Sequence, residues 1–418
     1  MNTPTMNPQF FHRFPAILDL RKRAKRRLPY FSWEYLDSGT GNEYCVSRNE
    51  LALQQVTLLP RLMQGTKRAE LKTELFGIDY ETPFGIAPVG LTGLMWPGIE
   101  KMLATTAGSY GIPYCLSTVA TETPEVIGPL VNGNGWFQLY PPNDRDIRRD
   151  LLVRFKEAGF TTLVITADTP AQSQRERQKR AGVSVPPKHT IRNYLSAALC
   201  PAWSLATLQH GLPRFRTMEK YVEATDIAEI GAYMNANMGS LDWDYLRETR
   251  KEWDGPMLIK GILSPSDARQ CIDCGADGVI VSTHGGRQFD GAPGAIDALP
   301  AVVDEIAGEG KVLFDSGIRG GLDICRALAL GADFVLLGRA FIFGAVALGQ
   351  QGSDHVADLL ISDLNSNLAN LGCTNLEELS SYVAARRLRP GERCAVAQQT
   401  GHAFRRTYFS LFSTAGEK

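Results

Sequence analysis

The chain has 418 residues, 44% of them hydrophobic and 21% charged, an ordinary globular composition able to bury a large core. A formal net charge of -1 argues against nucleic acid as a main partner, because a phosphate backbone demands a strong basic surplus. No stretch approaches the roughly 18 apolar residues that span a bilayer, and no apolar segment follows the first basic residues as in a secretory signal, so a cytoplasmic protein is expected, soluble or at most peripheral on the inner face of the membrane.

In chain order, residues 1–80 read as a helical and loop extension. Its basic run, Arg21, Lys22, Arg23, Lys25, Arg26 and Arg27, reads as the solvated face of a first helix, with an anionic membrane surface or acidic partner as the alternative. From residue 81 a unit repeats: a short apolar run, a polar or glycine-bearing end, then an amphipathic helix. Eight strands are expected: Phe84–Val89, Tyr114–Ser117, Trp136–Tyr140, Leu163–Asp168, Met257–Gly261, Gly278–His284, Val312–Gly317 and Phe334–Arg339. Helical stretches such as IEKMLATTAGSYG, IRRDLLVRFKEAG and GLDICRALALG lie between them, several closing on the glycine that a left-handed cap favours. Apolar strands alternating with helices imply a parallel sheet covered on both faces, and eight repeats favour closure. The fold class expected over residues 81–385 is therefore α/β, a (β/α)8 TIM barrel.

Residues 171–242, between strands four and five, exceed a simple crossover and carry Pro186-Pro187 and an aromatic-rich stretch, as a lid or interaction surface does. Residues 386–418 read as a weakly ordered tail. The eight cysteines are scattered singly except Cys271 and Cys274, which have neither a second CxxC nor a histidine cluster and read as helix-packing residues in a reducing compartment; no metal site is expected.

Active sites of such barrels form where the strands end. Ser117, Gln138, Tyr140, Thr166, Asp168, Lys260, Ser282, His284, Arg287, Asp315, Gly338 and Arg339 all sit at or just past expected strand ends, so their polar groups converge on one mouth. The segments DSGIRGG and LGRA place Gly317 and Gly338 where backbone amides can approach a phosphate, with Arg319 and Arg339 beside them. Neither GxGxxG at the opening of a first βα unit nor GxxxxGK[ST] occurs, which removes the dinucleotide and P-loop readings. Lys260 suits the anionic N1 region of a reduced flavin, yet a strand-end lysine equally suits aldolase-type Schiff-base chemistry; composition leaves both open. His284, flanked by glycines in THGGRQFD, is the expected base, with Asp168 orienting its imidazole. Arg287 and Arg175 are candidate carboxylate clamps, although Arg175 lies in the charge run RERQKR and by itself reads as solvated.

The blocks YLDSG, IAPVG, LSTVAT, WFQLY, VITADTP, LIKGIL, VSTHGGRQFDG, LFDSGIRGGLD and LALGADFVLLGRA, in this order, resemble the FMN-dependent 2-hydroxy acid dehydrogenase/oxidase family, which includes glycolate oxidase, flavin lactate dehydrogenases and (S)-mandelate dehydrogenase. The resemblance implies oxidation of an (S)-2-hydroxy acid to the 2-oxo acid, with His284 and Asp168 as catalytic pair and Arg175 and Arg287 as carboxylate ligands. It implies that Tyr35 and Tyr140 contact the substrate carboxylate and hydroxyl. FMN would be held by Pro88, Val89, Gly90, Ser117, Gln138, Thr166, Lys260, Ser282 and the phosphate site around Asp315, Gly317, Arg319, Gly338 and Arg339. It further implies a homo-oligomer, commonly a tetramer, and an electron acceptor that is a quinone, a protein or oxygen.

Departures bear on specificity. Thr283 stands where the family often has Asn, and Ala340 where many members have Pro. Gly90 replaces an Ala and Val119 a Trp of the short-chain glycolate oxidases, which implies more space and a substrate larger than glycolate: lactate, a longer aliphatic or an aryl 2-hydroxy acid. The stretch CPAWSLATLQHGLPRF resembles the corresponding part of mandelate-type dehydrogenases. Its Trp203, Leu205, Leu208, Leu212 and Phe215, with His210, Arg214 and Arg216, suit a bilayer surface; packing on the barrel or a neighbouring subunit is the competing expectation. A non-redox FMN isomerase and an inactive flavin-binding scaffold are the remaining alternatives.

Overall fold

Eight parallel strands close into a barrel in chain order: β1 (Phe84–Ile86), β2 (Tyr114–Ser117), β3 (Gly135–Leu139), β4 (Phe160–Thr166), β5 (Met257–Ile262), β6 (Gly278–Val281), β7 (Lys311–Phe314) and β8 (Phe334–Leu337). The last pairs back onto the first, Val335 opposite Phe84 and Leu337 opposite Ile86. This computed structural model describes residues 7–65, 69–183, 190–221 and 241–384. Pro186-Pro187 and the expected tail at 386–418 lie outside them.

Every expected strand is present, but β1, β3, β4, β6, β7 and β8 stop one to three residues early. The residues beyond them leave the sheet to turn side chains over the mouth: His284, Ser316 and Gly317 have φ of 55°, 89° and 94°, outside regular strand geometry. Strand β5 runs one residue further than expected because its register with β6 shifts between Lys260 and Ile262, a bulge centred on Gly261 at φ 105°.

The period of two along each strand assigns the faces. Cys115, Trp136, Val164, Leu258, Ile280, Leu313, Phe334 and Leu336 fill the barrel as a core of their own. Their neighbours Leu116, Phe137, Leu163, Ile259, Val279, Val312 and Val335 belong to the larger core shared with the surrounding helices. Two residues past the interior apolar layer, on the same inward face, come Ser117, Gln138, Thr166, Lys260, Ser282, Asp315 and Gly338. One alternation therefore builds both the apolar plug and the polar layer above it. A hairpin of Thr73–Leu75 and Ile78–Tyr80 closes the other end, Leu75 and Tyr80 joining the interior core and Trp136 Nε1 donating to the Tyr80 hydroxyl at 3.1 Å.

The helices start and stop for local reasons. Asp144 caps Arg145–Glu157 by accepting from the amides of Asp146 and Ile147. The helix Ile99–Tyr110 ends on left-handed Gly111. Cys271 and Cys274 are buried, unbonded thiols on and just after the helix Pro265–Asp273, as helix packing requires. Residues up to Val383 form one compact unit, so the N-terminal helices Ile17–Arg27, Tyr30–Asp37 and Tyr44–Gln55 belong to the barrel body.

The basic run on Ile17–Arg27 is more than a solvated face. Arg21 pairs with Asp37 at 2.7 Å, Arg23 donates to the Ala347 carbonyl at 2.9 Å, and Arg27 lies over the Trp96 ring. Guanidinium planes stack on aromatic rings and satisfy helix-end carbonyls, a use that a charge count cannot reveal. The insertion after β4 contributes helices Glu176–Arg180, Ile191–Ala198 and Pro201–His210. Here the surface expectation is corrected in part. Trp203 is 5% exposed, donates to the Met95 carbonyl at 3.0 Å and packs edge-on against Phe31, and Phe215 is buried as well. Leu205, Leu208 and Leu212 do face solvent, joined by Ile191, Tyr194, Leu195 and Leu199. Among the described residues no helix is long and apolar enough to cross a membrane.

Candidate active site

The polar layer opens into a cavity of about 1200 Å³, its solvent-filled mouth included, at the C-terminal ends of the strands. Gln138 donates to the Thr166 hydroxyl at 2.9 Å and accepts from Ser117 at 2.7 Å, so three adjacent strand ends are cross-braced. Lys260 Nζ lies 2.9 Å from the Ser282 hydroxyl and 3.2 Å from an Asp315 carboxylate oxygen. Burial alone lowers a lysine pKa, but Asp315 and then Asp168 outweigh it and hold Lys260 above its ordinary value. The cavity floor thus carries a permanent cation.

His284 sits in a tight turn, His284–Gly286, just past β6. A left-handed conformation at a non-glycine residue costs about 1–3 kcal/mol and persists only where its surroundings enforce it. Here the His284 amide donates to Ser282 Oγ at 3.0 Å. Ser316 Oγ accepts from the amides of Thr283 and Gly285 and donates to Asp315. Asn49, on the helix Tyr44–Gln55, donates to the Thr283 hydroxyl at 2.8 Å. Thr283, where the family often has Asn, is buried and braces the turn through Asn49 and Ser316. His284 Nδ1 is 2.9 Å from Asp168 Oδ1, and Nε2 faces the Tyr140 hydroxyl at 3.4 Å. Burial, with help from Lys260 and Arg175, holds His284 below the usual imidazole range against the opposing pull of Asp168. A neutral imidazole donating from Nδ1 to a carboxylate leaves an Nε2 lone pair directed at the cavity.

Four arginines converge on the same space. Arg287 donates to the carbonyls of Tyr35 at 2.8 Å and Ser38 at 3.2 Å and lies over the Tyr35 ring. Arg175 is held by Ser173 Oγ at 3.0 Å and Gln288 Oε1 at 2.8 Å, and the Tyr35 hydroxyl donates to the Gly90 carbonyl at 3.1 Å. Arg339 donates to the Gly285 carbonyl, and Arg319 lies 3.6 Å from Glu50. Arg175, Arg287 and Arg339 have no carboxylate within ion-pair distance among the described residues. Burial first, then Arg175, pushes Arg287 down; burial and Arg319 do the same to Arg339. Guanidiniums so depressed mark a surplus of buried positive charge that suits two anions, one near Arg175 and Arg287 and one near Arg319 and Arg339.

The residues fit FMN. Arg319, Arg339 and the uncapped start of the helix Arg339–Leu348 provide an anion site beside Gly317 and Gly338, and an added Cβ at Gly338 would crowd Val89 at 3.2 Å. Pro88, Val89, Gln138, Thr166 and Lys260 line the same cavity, a mixed apolar and hydrogen-bonding wall with a fixed cation.

Three expected site residues do not line the cavity: Asp168 stands behind His284, Ser282 behind Lys260 and His284, and Ser117 behind Gln138. Gly90 also differs from expectation. A Cβ there would strike Val119 Cγ2, so Val119 already fills the space the missing methyl leaves. Sequence reasoning missed Asn49, Ser316 and Gln288, which hold the His284 turn and Arg175. Only Gln288, adjacent to Arg287 in HGGRQ, and Ser316, inside DSG, lie in recognisable blocks; Asn49 carries no local signal.

The family model described as FMN-dependent dehydrogenase matches residues 24–386. An L-lactate dehydrogenase of Ectopseudomonas mendocina is 41% identical over 369 residues, 88% of this chain and 97% of that protein. Among solved structures, the monotopic membrane protein (S)-mandelate dehydrogenase superposes with a TM-score of 0.85 at 36% identity, over 89% of this chain and 99% of its own. A mandelate oxidase with benzoyl-formic acid gives 0.73 at 30% identity, over 87% and 96%. Matches of this extent, on a barrel whose mouth carries the family's motif residues, place the chain in the FMN-dependent 2-hydroxy acid dehydrogenase family.

Proposed function

We propose that this protein oxidises an (S)-2-hydroxy acid larger than glycolate, with His284 as base, and passes the electrons to a membrane-borne acceptor such as a quinone. The observation that carries the reading is the single cavity in which His284 Nε2, the Tyr140 hydroxyl, the paired guanidiniums of Arg175 and Arg287, and Lys260 all meet. Arg175 and Arg287, with Tyr35, bind the substrate carboxylate and so fix the adjacent carbon. Tyr140 hydrogen-bonds the substrate hydroxyl, His284 Nε2 takes up a proton, and Asp168 stabilises the imidazolium that results. Gln138, Thr166, Lys260, Arg319 and Arg339 hold FMN, which when bound supplies a two-electron acceptor beside that carbon. Val119, in place of a tryptophan, leaves room for a side chain at the substrate's β position.

Anaerobic mixing of the holoenzyme with a panel of (S)-2-hydroxy acids, followed at the oxidised-flavin band, tests this. Bleaching by lactate, a longer acid or mandelate supports the reading; glycolate as best substrate by kcat/KM overturns the size assignment. No bleaching by any acid overturns the roles of His284 and the arginines. Readmission of air then separates rapid oxygen use from transfer to a quinone.

The acceptor assignment rests on the exposed face formed by Ile191, Tyr194, Leu195, Leu199, Leu205, Leu208 and Leu212, apolar side chains that a purely aqueous surface does not gather on adjacent helices. This face docks on the bilayer surface without spanning it.

A further inference from the structure

Four consecutive residues, Arg175 to Gln178, are each bonded to the segment 34–43. The Arg175 amide donates to Thr40 Oγ1 at 3.2 Å, Glu176 accepts from the Gly41 amide at 2.8 Å, and Gln178 donates to Ser38 Oγ at 3.0 Å. Arg177 is the centre of this seam. Its Nε and one terminal nitrogen contact the two Glu34 oxygens at 2.5 and 3.0 Å, the other terminal nitrogen contacts both Glu43 oxygens at 3.0 and 2.9 Å, and Asp37 lies 3.4 Å away. Glu34 and Asp37 are largely buried, so these are not solvent-screened surface pairs.

The two sides of the seam carry different parts of the substrate site. On one, Arg175 is held in a left-handed conformation, φ 43°, immediately before the helix Glu176–Arg180. On the other, Tyr35 directly follows Glu34, and the Tyr35 and Ser38 carbonyls receive Arg287. The two sides lie more than 130 residues apart in the chain, so their separation is set by contacts across the seam. We propose that Arg177 is a positioning residue that locks the N-terminal segment onto the loop after β4 and thereby sets the distance between Tyr35, Arg175 and Arg287. Arg177 touches no reacting atom; it acts through Arg175 and Tyr35, and the inference rests on their assignment to the substrate carboxylate. A lysine, which offers a point charge in place of a fork, cannot hold both Glu34 and Glu43 in this geometry.

The test uses FMN-loaded enzyme, steady-state kinetics and titration with oxalate as a non-reacting dicarboxylate. Because Arg177→Met alone strands a buried carboxylate, the informative variant is Arg177→Met with Glu34→Gln. Its KM and oxalate Kd are expected to rise about 10-fold or more, with kcat changed far less, unchanged FMN content and no rescue by Arg177→Lys. Arg175→Met is expected to raise both constants by about 10–100-fold, and adding the Arg177/Glu34 pair to it brings less than the multiplied loss, since part of the seam's effect runs through Arg175 and the rest through Tyr35. Unaltered KM and Kd in the pair variant, or an effect that multiplies fully with Arg175→Met, overturns the proposal. If Arg175→Met leaves oxalate binding intact, the carboxylate assignment is what fails, and the seam's role falls with it.

Discussion

At the scale of single residues, the site is a set of opposed electrostatic demands. His284 is kept neutral by burial and by the cations Lys260 and Arg175, while Asp168 pulls its pKa upward. Because the folded value lies below the usual imidazole range, His284, as the proposed base, stays competent into mildly acid solution. The acid limb of kcat/KM is expected below the ordinary imidazole pKa of about 6.5. Asp168→Asn removes the carboxylate that pulls this pKa upward, so the limb moves to still lower pH while kcat falls by about 10²–10⁴-fold. A pH–rate profile in which the limb moved upward would contradict this arrangement. His284 and Asp168 were legible as strand-end residues of the VITADTP and THGGRQFDG blocks. Asn49 and its bond to Thr283 were not, because 234 residues separate the partners and nothing local to Asn49 announces the contact.

Single elements place these groups by departures from regularity. The Gly261 bulge in β5 is one: an added Cβ would stand 2.5 Å from Asp168 Cβ and Cγ. Gly261→Ala is expected to cost about 1–3 kcal/mol in stability and, by displacing Asp168, to lower kcat more than KM. Thermal melts and steady-state kinetics on one preparation check both. The start of the helix Arg339–Leu348 is another, with Arg339 as its first residue and no side-chain cap. Arg339→Met removes the charge beside those amides, and FMN is expected to bind about 10–100-fold more weakly, read by flavin released on dilution and recovered by added FMN. Sequence periodicity located both elements. It overran most strand ends, because the last residues of each apolar run keep the strand composition while their backbone has already turned.

Over the whole molecule, the barrel gathers the candidate site at one open mouth, while among the described residues the insertion keeps apolar side chains exposed. Leu199 and Leu208 are 83% and 82% exposed. Burial of a leucine side chain is worth about 1.5–3 kcal/mol, so Leu199→Glu with Leu208→Glu is expected to weaken binding to liposomes more than about 100-fold. Flotation measures it, and turnover with a soluble electron acceptor is expected to stay unchanged because neither residue lines the cavity. Wild-type enzyme that remains wholly in the soluble fraction overturns the membrane assignment.

What the sequence determined by itself was whatever repeats or lies within one short segment: eight apolar runs alternating with helices, polar groups just past each run, and the motif blocks that name the family. These depend on local periodicity and adjacent residues, which a linear chain displays directly. Tertiary structure alone decided which side the insertion's aromatic residues face, that Val119 fills the space beside Gly90, and that the basic helix spends its arginines on Asp37, Trp96 and a helix-end carbonyl. It also decided the seam from Arg177 to Glu34 and Glu43, more than 130 residues apart in the chain. Such pairings follow from the closure of the barrel, which brings distant loops to one mouth and sets distances that no local pattern encodes.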